Sequence, residues 1–273
     1  MLELNLWLQR IATPFWDSFF LFISNLTNEL LYVAIVAAIY YTTDKKKGIK
    51  MAVMVMTNMS LNFFLKDIFR IDRPYVKNSE IVNKDIETGY GYSFPSGHSQ
   101  FNSGFYTALA TQFNVRKFYA LIILFVITVA FSRIYLGVHS VLDVICGVLL
   151  GFLWVVLINR ALDKILSGKL YLLYLFSLIG IINILLSQNT DSIKILLLYF
   201  GFIIGYSLDL KFVNYEVPKK ALAKILNVSI FIAGLLIIQI IFSFFKFGVI
   251  KYFIIGIWAT FLCPLLCKRK VMK

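Results

Sequence analysis

Long apolar runs, most of them close to twenty residues and separated by short basic or polar stretches, constrain this chain more than any other feature. A run of that length crosses the hydrocarbon core of a bilayer as a helix, because a helix satisfies its own backbone polar groups there. Such runs fall at about 27–43, 49–68, 98–114, 117–135, 140–160, 170–188, 191–210, 225–245 and 248–267. With 60% hydrophobic residues the chain exceeds a soluble domain's share of about 45–50%. The expectation is an all-α, polytopic transmembrane helical bundle of about nine spans. Residues 2–24 mix Leu, Trp and Phe with polar groups around Pro14, and read as an N-terminal interfacial or partly inserted helix. Glu3, Gln9, Arg10 and Asp17 interrupt any signal-peptide core.

The net charge of +13 lies in short clusters between apolar runs, as expected at a negatively charged membrane face and not for a nucleic-acid partner. Alternate loops hold Lys45, Lys46, Lys47 and Lys50; Arg116 and Lys117; Arg160, Lys164 and Lys169; Lys211, Lys219, Lys220 and Lys224; and Lys268, Arg269, Lys270 and Lys273. Nine spans put all five clusters on one side, which the positive-inside rule makes cytoplasmic together with the C-terminus. Cys146, Cys263 and Cys267 have neither a disulfide framework nor a zinc spacing. Gly147–Gly151 and Gly201–Gly205 are small-xxx-small pairs suited to close helix packing.

Lys66, Arg70, Arg73 and Arg133 sit on the opposite, outer set of loops, where the charge rule disfavours them. An anion is the partner that would justify their place. Three polar clusters meet on that side: Lys66 to Pro74, Pro95-Ser96-Gly97-His98, and Ser132 to Asp143. Together they hold what phosphoryl transfer needs. Lys66, Arg73 and Arg133 supply fixed cations for a charge-rich transition state, and Ser96-Gly97 open a helix whose N-terminus favours an anion. His139 and His98, the two histidines of the chain, can serve as attacking group and proton donor. If a helix begins at 139, Asp143 lies on the face of His139 and can hold one imidazole nitrogen. The polar stretch from Tyr75 to Phe94 reads equally as a lid over these clusters or as a solvated connection.

The pattern Lys66-x6-Arg73-Pro74, Pro95-Ser96-Gly97-His98 and Ser132-Arg133-x5-His139-x3-Asp143 resembles the signature of the type 2 phosphatidic acid phosphatase and vanadium haloperoxidase superfamily, over about residues 27–160. The resemblance implies that His139 forms a phosphohistidine intermediate oriented by Asp143. His98 would protonate the leaving oxygen, and Lys66, Arg73, Ser96, Gly97 and Arg133 would bind the phosphate, with no metal or other cofactor. The expected layout is an interfacial helix at 1–26, a phosphatase core at 27–160 and a four-helix membrane extension at 161–273. That layout is similar to glucose-6-phosphatase and the sphingosine-1-phosphate phosphatases.

The expected activity is hydrolysis of a lipid phosphate monoester or pyrophosphate, such as phosphatidic acid or undecaprenyl pyrophosphate, at the outer leaflet. The membrane lipid and the bilayer are then the partners. Abundant Ile, Lys, Phe and Asn suit an AT-rich bacterial genome and hence a bacterial plasma membrane. A phosphatase for a soluble sugar phosphate, and a non-catalytic lipid-phosphate binder or transporter, are the alternatives.

Overall fold

A computed structural model describes residues 2–27, 29–113, 115–187, 189–245 and 248–271, so Lys273 of the last basic cluster lies outside the described residues. Among them every regular element is helical. In chain order these are α1 (Glu3–Arg10), α2 (Pro14–Asn25), α3 (Glu29–Thr42), α4 (Lys45–Phe69), the single turn α5 (Pro74–Lys77), α6 (Gly97–Gln112), α7 (Tyr119–Tyr135) and α8 (Val141–Leu166). They continue with α9 (Ser177–Ser187), α10 (Thr190–Leu208), α11 (Ala221–Ser243), α12 (Ile250–Ile257) and α13 (Cys263–Val271).

Six segments among the described residues are long and apolar enough to cross a membrane: Lys45–Lys77, Arg116–Tyr135, Val141–Leu166, Thr190–Val213, Ala221–Ser243 and Ile250–Lys268. Two shorter apolar helices, Leu31–Thr42 and Leu170–Leu186, coincide with two further expected runs. The remaining run, at 98–114, becomes α6, whose buried face carries Ser99, Gln100, Asn102 and Ser103. Those amides and hydroxyls lower its hydropathy while finding partners inside the protein, among them Ser96, Asn62, Tyr32 and the Val148 carbonyl. Thus six segments meet the length and composition needed, where the sequence suggests nine.

The chain divides into two compact units, Met1–Tyr32 with Leu61–Arg160, and Val33–Ser60 with Ala161–Lys273. In the first unit the N-terminal segment is two helices where the sequence suggests one. Pro14 holds the preceding Thr13 in an extended conformation and starts a new helix, with the Thr13 hydroxyl accepting from Trp16 N–H at 3.5 Å. Leu8 and Phe20 pack with Ile134, Tyr135, Leu136 and Val138 at the end of α7, while Trp7, Phe15 and Phe22 point outward.

Glycines set the approach of α6 to α8. A Cβ on Gly147 would lie 2.7 Å from the Ser96 carbonyl oxygen, and one on Gly151 would collide with the Gln100 carbonyl. The pair therefore brings the start of α6 against the start of α8, as small residues do between membrane helices. In the second unit Gly201 and Gly205 play the same part for α10 against α12 and the turn that follows it. Lys45 and Lys50 are not loop residues here. Both lie in the first turns of α4, paired with Asp209 and Asp163.

Candidate active site

The chain from Ser132 to Asp143 is built from two capping motifs placed end to end. Helix α7 finishes with the paired bonds of a Schellman motif, Gly137 N–H to the Ile134 carbonyl at 3.1 Å and Val138 N–H to the Arg133 carbonyl at 3.3 Å. That ending needs a left-handed residue, and Gly137 supplies it at φ +76°. His139 N–H then donates to the same Arg133 carbonyl at 3.2 Å, so the imidazole returns beside the end of the helix it has just left. Asn5 of α1 braces the turn from outside, its amide donating to the carbonyls of Ile134 (2.8 Å) and His139 (3.0 Å).

Helix α8 starts at Val141, two residues later than expected. Ser140 caps it: Ser140 N–H donates to Asp143 Oδ2 at 2.7 Å, and Asp143 N–H donates to Ser140 Oγ at 3.3 Å. This reciprocal capping box aims the Asp143 carboxylate, not a shared helix face with His139.

His139 Nδ1 and Asp143 Oδ2 stand 3.8 Å apart, too far for a hydrogen bond. Ser93 fills the gap. Its hydroxyl donates to Asp143 Oδ2 at 2.7 Å and lies 3.3 Å from His139 Nδ1. With its one proton on the carboxylate, Ser93 can only accept from the imidazole, so Nδ1 carries the ring proton. Nε2 is left with its lone pair beside Arg73 Nη1, which donates to it at 3.3 Å. Burial holds the imidazole well below the ordinary histidine range, against the pull of Asp143, and the nearby cations act in the same direction as burial. A neutral ring whose unprotonated Nε2 is directed at Arg73 is the result. That is the form in which histidine attacks.

The three cations expected around an anion are each held by the chain between Tyr75 and Ser96. Lys66 donates to the carbonyls of Tyr92 and Ser93. Arg73 spans the carbonyls of Tyr90, Gly91 (3.0 Å) and Val138 (3.0 Å) as well as His139. Arg133, fully buried, pairs with Asp85 at 2.6 Å and donates to Thr88 (2.9 Å) and to Ser24. Burial alone would raise the Asp85 carboxyl, but Arg133 and Thr88 outweigh it and hold the group at about 2. The pair therefore stabilises the fold above the usual carboxyl value of 3.8, and that contribution is lost as pH falls through about 2. Removing one partner of such a buried pair costs about 3–5 kcal/mol.

The connection is exposed along much of its length yet pinned at several points. Val82 exchanges two hydrogen bonds with the Gln9 side chain, at 2.8 and 2.9 Å. Lys84 pairs with Asp17, Asp85 with Arg133, and Ser93 N–H donates to the Ile71 carbonyl at 2.7 Å. The segment forms a wall of the site.

Ser96 and Gly97 open α6 as expected, next to a cis Phe94–Pro95 bond. Ser96 N–H is already spent on the Asp143 carbonyl (2.9 Å), and its hydroxyl accepts from Ser99 at 2.9 Å. The N–H groups of the following first turn are those a helix leaves without internal partners. His98 sits in that turn within electrostatic reach of Arg133, Asp85, Arg73 and Lys66.

The structure thus joins Arg73 to His139 directly and Asp143 to His139 through Ser93, with Lys66 and Ser96 one residue or one bond away, and places His98 and Arg133 in the same electrostatic surroundings. Sequence reasoning missed Ser93, Asp85, Thr88, Ser24 and Asn5. Among the described residues no group of three or more His, Cys, Asp or Glu side chains is arranged to hold a metal ion.

Comparison with known proteins finds two family models that match this chain. Residues 47–166 match the model of the PAP2 superfamily, and residues 194–272 match a second model, the transmembrane extension of PAP2 superfamily phosphatases. Lipid A 4'-phosphatase of Bacteroides thetaiotaomicron is 29% identical across 55% of this chain and 71% of its own length. The enzyme of the same name from Porphyromonas gingivalis is 30% identical across 55% and 68%. The crystal structure of Aquifex aeolicus LpxE shares the fold at a TM-score of 0.52, with 24% identity, over 58% of this chain and 94% of that one.

Proposed function

This chain belongs to the PAP2 superfamily, and from that premise we propose that it hydrolyses a lipid phosphate monoester or pyrophosphate on the extracytoplasmic side through a phosphohistidine intermediate. One observation carries the reading: His139 is held with Nδ1 against the Ser93 hydroxyl that donates to Asp143, and with Nε2 turned to Arg73.

In the first step Nε2 of His139 attacks phosphorus, and the bond to the leaving oxygen breaks. His98 gives that oxygen a proton, while Lys66, Arg73 and Arg133, with the Gly97 end of α6, carry the charge on the equatorial oxygens. As Nε2 becomes bonded the ring gains positive charge, and the Ser93–Asp143 relay stabilises it. In the second step water, deprotonated by His98, attacks the phosphohistidine, frees Nε2 and releases inorganic phosphate. The net reaction is ester plus water to alcohol plus phosphate.

The lipid class of the substrate is supported by the membrane-spanning helices that carry the site and by the lipid A phosphatases among the relatives. Phosphatidic acid, undecaprenyl pyrophosphate and other lipid phosphates share the headgroup chemistry this pocket fits. Detergent-purified protein should release inorganic phosphate from members of a lipid-phosphate panel, be inhibited competitively by orthovanadate, and keep its activity in EDTA. Activity confined to water-soluble esters would replace the lipid reading, and activity abolished by EDTA would replace the histidine mechanism with a metal one.

The charge pattern supports the side. From the site, α6 runs to Arg116 and Lys117, α7 returns, and α8 leaves again toward Arg160 and Lys164. A membrane-impermeant maleimide is expected to label a Glu80→Cys variant in intact cells. Labelling only after lysis would turn the site to the cytoplasm.

A further inference from the structure

We propose that Asp85 is the positioning residue that turns Arg133 so that one edge of its guanidinium is kept for the substrate phosphate. The inference rests on the reading of Arg133 as a phosphate ligand. Counting donors gives the argument. A guanidinium has five N–H groups. Nη1 spends its two on Asp85 Oδ2 (2.6 Å) and on Ser24 Oγ, and Nη2 spends one on Thr88 Oγ1 at 2.9 Å. Two donors remain, one on Nη2 and the Nε–H. Nε is fully buried and has no hydrogen-bond partner among the described residues.

A buried cationic N–H is costly to leave unmade, and so rare that each instance asks for its missing acceptor. Nε and Nη2 are neighbouring nitrogens of one planar fork, the geometry that takes two oxygens of a phosphate. Arg133 is also among the charges felt by both His98 and His139.

Asp85 itself is locked in place. Its Oδ2 accepts from Ser24 (3.0 Å) and Thr88 (2.7 Å), its Oδ1 accepts from Thr88 N–H (3.2 Å), and its own N–H donates to Asn83 Oδ1 (2.9 Å). A carboxylate that merely imitated the substrate would occupy the Nε edge. Asp85 takes the opposite end and leaves that edge open. The role suits a loop residue, since the acidic anchor and Thr88 arrive on the same short turn closed by Gly89 N–H on the Asp85 carbonyl at 2.8 Å.

The test uses the purified full chain in detergent, with orthovanadate binding read by thermal shift so that it does not depend on turnover, alongside kcat and KM on a lipid phosphate. Asp85→Ala is expected to weaken vanadate binding and to raise KM by about tenfold or more, the scale of one misdirected charged contact. Asp85→Asn, which keeps the shape and one acceptor oxygen, should fall between Ala and wild type and guards against loss of fold in the Ala variant. In the Arg133→Ala background Asp85→Ala should add nothing, because Asp85 acts only through that side chain.

Unchanged or tighter vanadate binding by Asp85→Ala would overturn the proposal and make Asp85 a competitor for the pocket. An equal loss in the presence and absence of Arg133 would overturn it in favour of a purely structural role. Wild-type protein that binds vanadate in an Asp85-dependent way yet releases no phosphate would sink the proposed hydrolysis while leaving the positioning role standing.

Discussion

Replacing His139 with alanine is expected to lower phosphate release by roughly 10⁴-fold or more, with vanadate still protecting the protein against heat. The two halves of that expectation have separate causes. Under the proposed mechanism turnover requires a lone pair within reach of phosphorus, and Nε2 of His139, held beside the Arg73 guanidinium, is to supply it. Taking it away removes the covalent route, and water would have to attack directly.

Anion binding draws on Lys66, Arg73 and Arg133, whose holding contacts are mainly to the carbonyls of Tyr90 to Ser93 and to Asp85, not to the imidazole. Those survive the substitution. The backbone of the turn also survives, because Gly137 and the Arg133 carbonyl hold it through main-chain bonds. Substantial residual turnover in a variant with unchanged size-exclusion behaviour would remove His139 from the chemistry.

What could be read from residues alone follows physical range. Helices and the three polar clusters are local in sequence, and a periodic apolar run or a cation beside one needs no distant information. The two caps around His139 were equally legible: Gly137 four residues after Arg133 is a helix end, and Ser140-x-x-Asp143 is a helix start. A helix drawn from 139 overlooks both.

Ser93 and Asp85 are different. Each acts across 46 to 50 residues, through a segment pinned at Gln9, Asp17 and Ile71, and nothing local to the segment reveals where its side chains land. The available hint was electrostatic. Three cations set beside apolar runs required a counter-charge, and that connection holds the acids Glu80, Asp85 and Glu87. Length and composition pick out six spans among the described residues and leave out the run at 98–114 for a related reason. Hydropathy treats Gln100 and Asn102 as costs, yet Gln100 accepts from Asn62 at 2.9 Å and Asn102 from Tyr32, so tertiary partners cancel what the composition penalises.

Asp143→Asn should cut kcat by about 10²–10⁴-fold and leave KM nearly unchanged, by analogy with losing the orienting acid of a triad. The cause is the charge. Asp143 accepts from Ser140 N–H and from the Ser93 hydroxyl on one oxygen, Oδ2, and that hydroxyl in turn can accept from Nδ1. An amide oxygen in that place keeps both bonds. What it lacks is the negative charge that steadies the ring as Nε2 becomes bonded to phosphorus and the imidazole turns cationic.

Ser93→Ala should do less, about 10–10²-fold in kcat, because the carboxylate survives and only its bridge across 3.8 Å is lost. Adding Ser93→Ala to Asp143→Asn should cost little more, since both act on one relay. A fully active Ser93→Ala enzyme would mean that Asp143 closes on the imidazole directly during turnover. A neutral Asp143→Asn would mean that the carboxylate charge does nothing for the ring during turnover, and the relay would have to be abandoned.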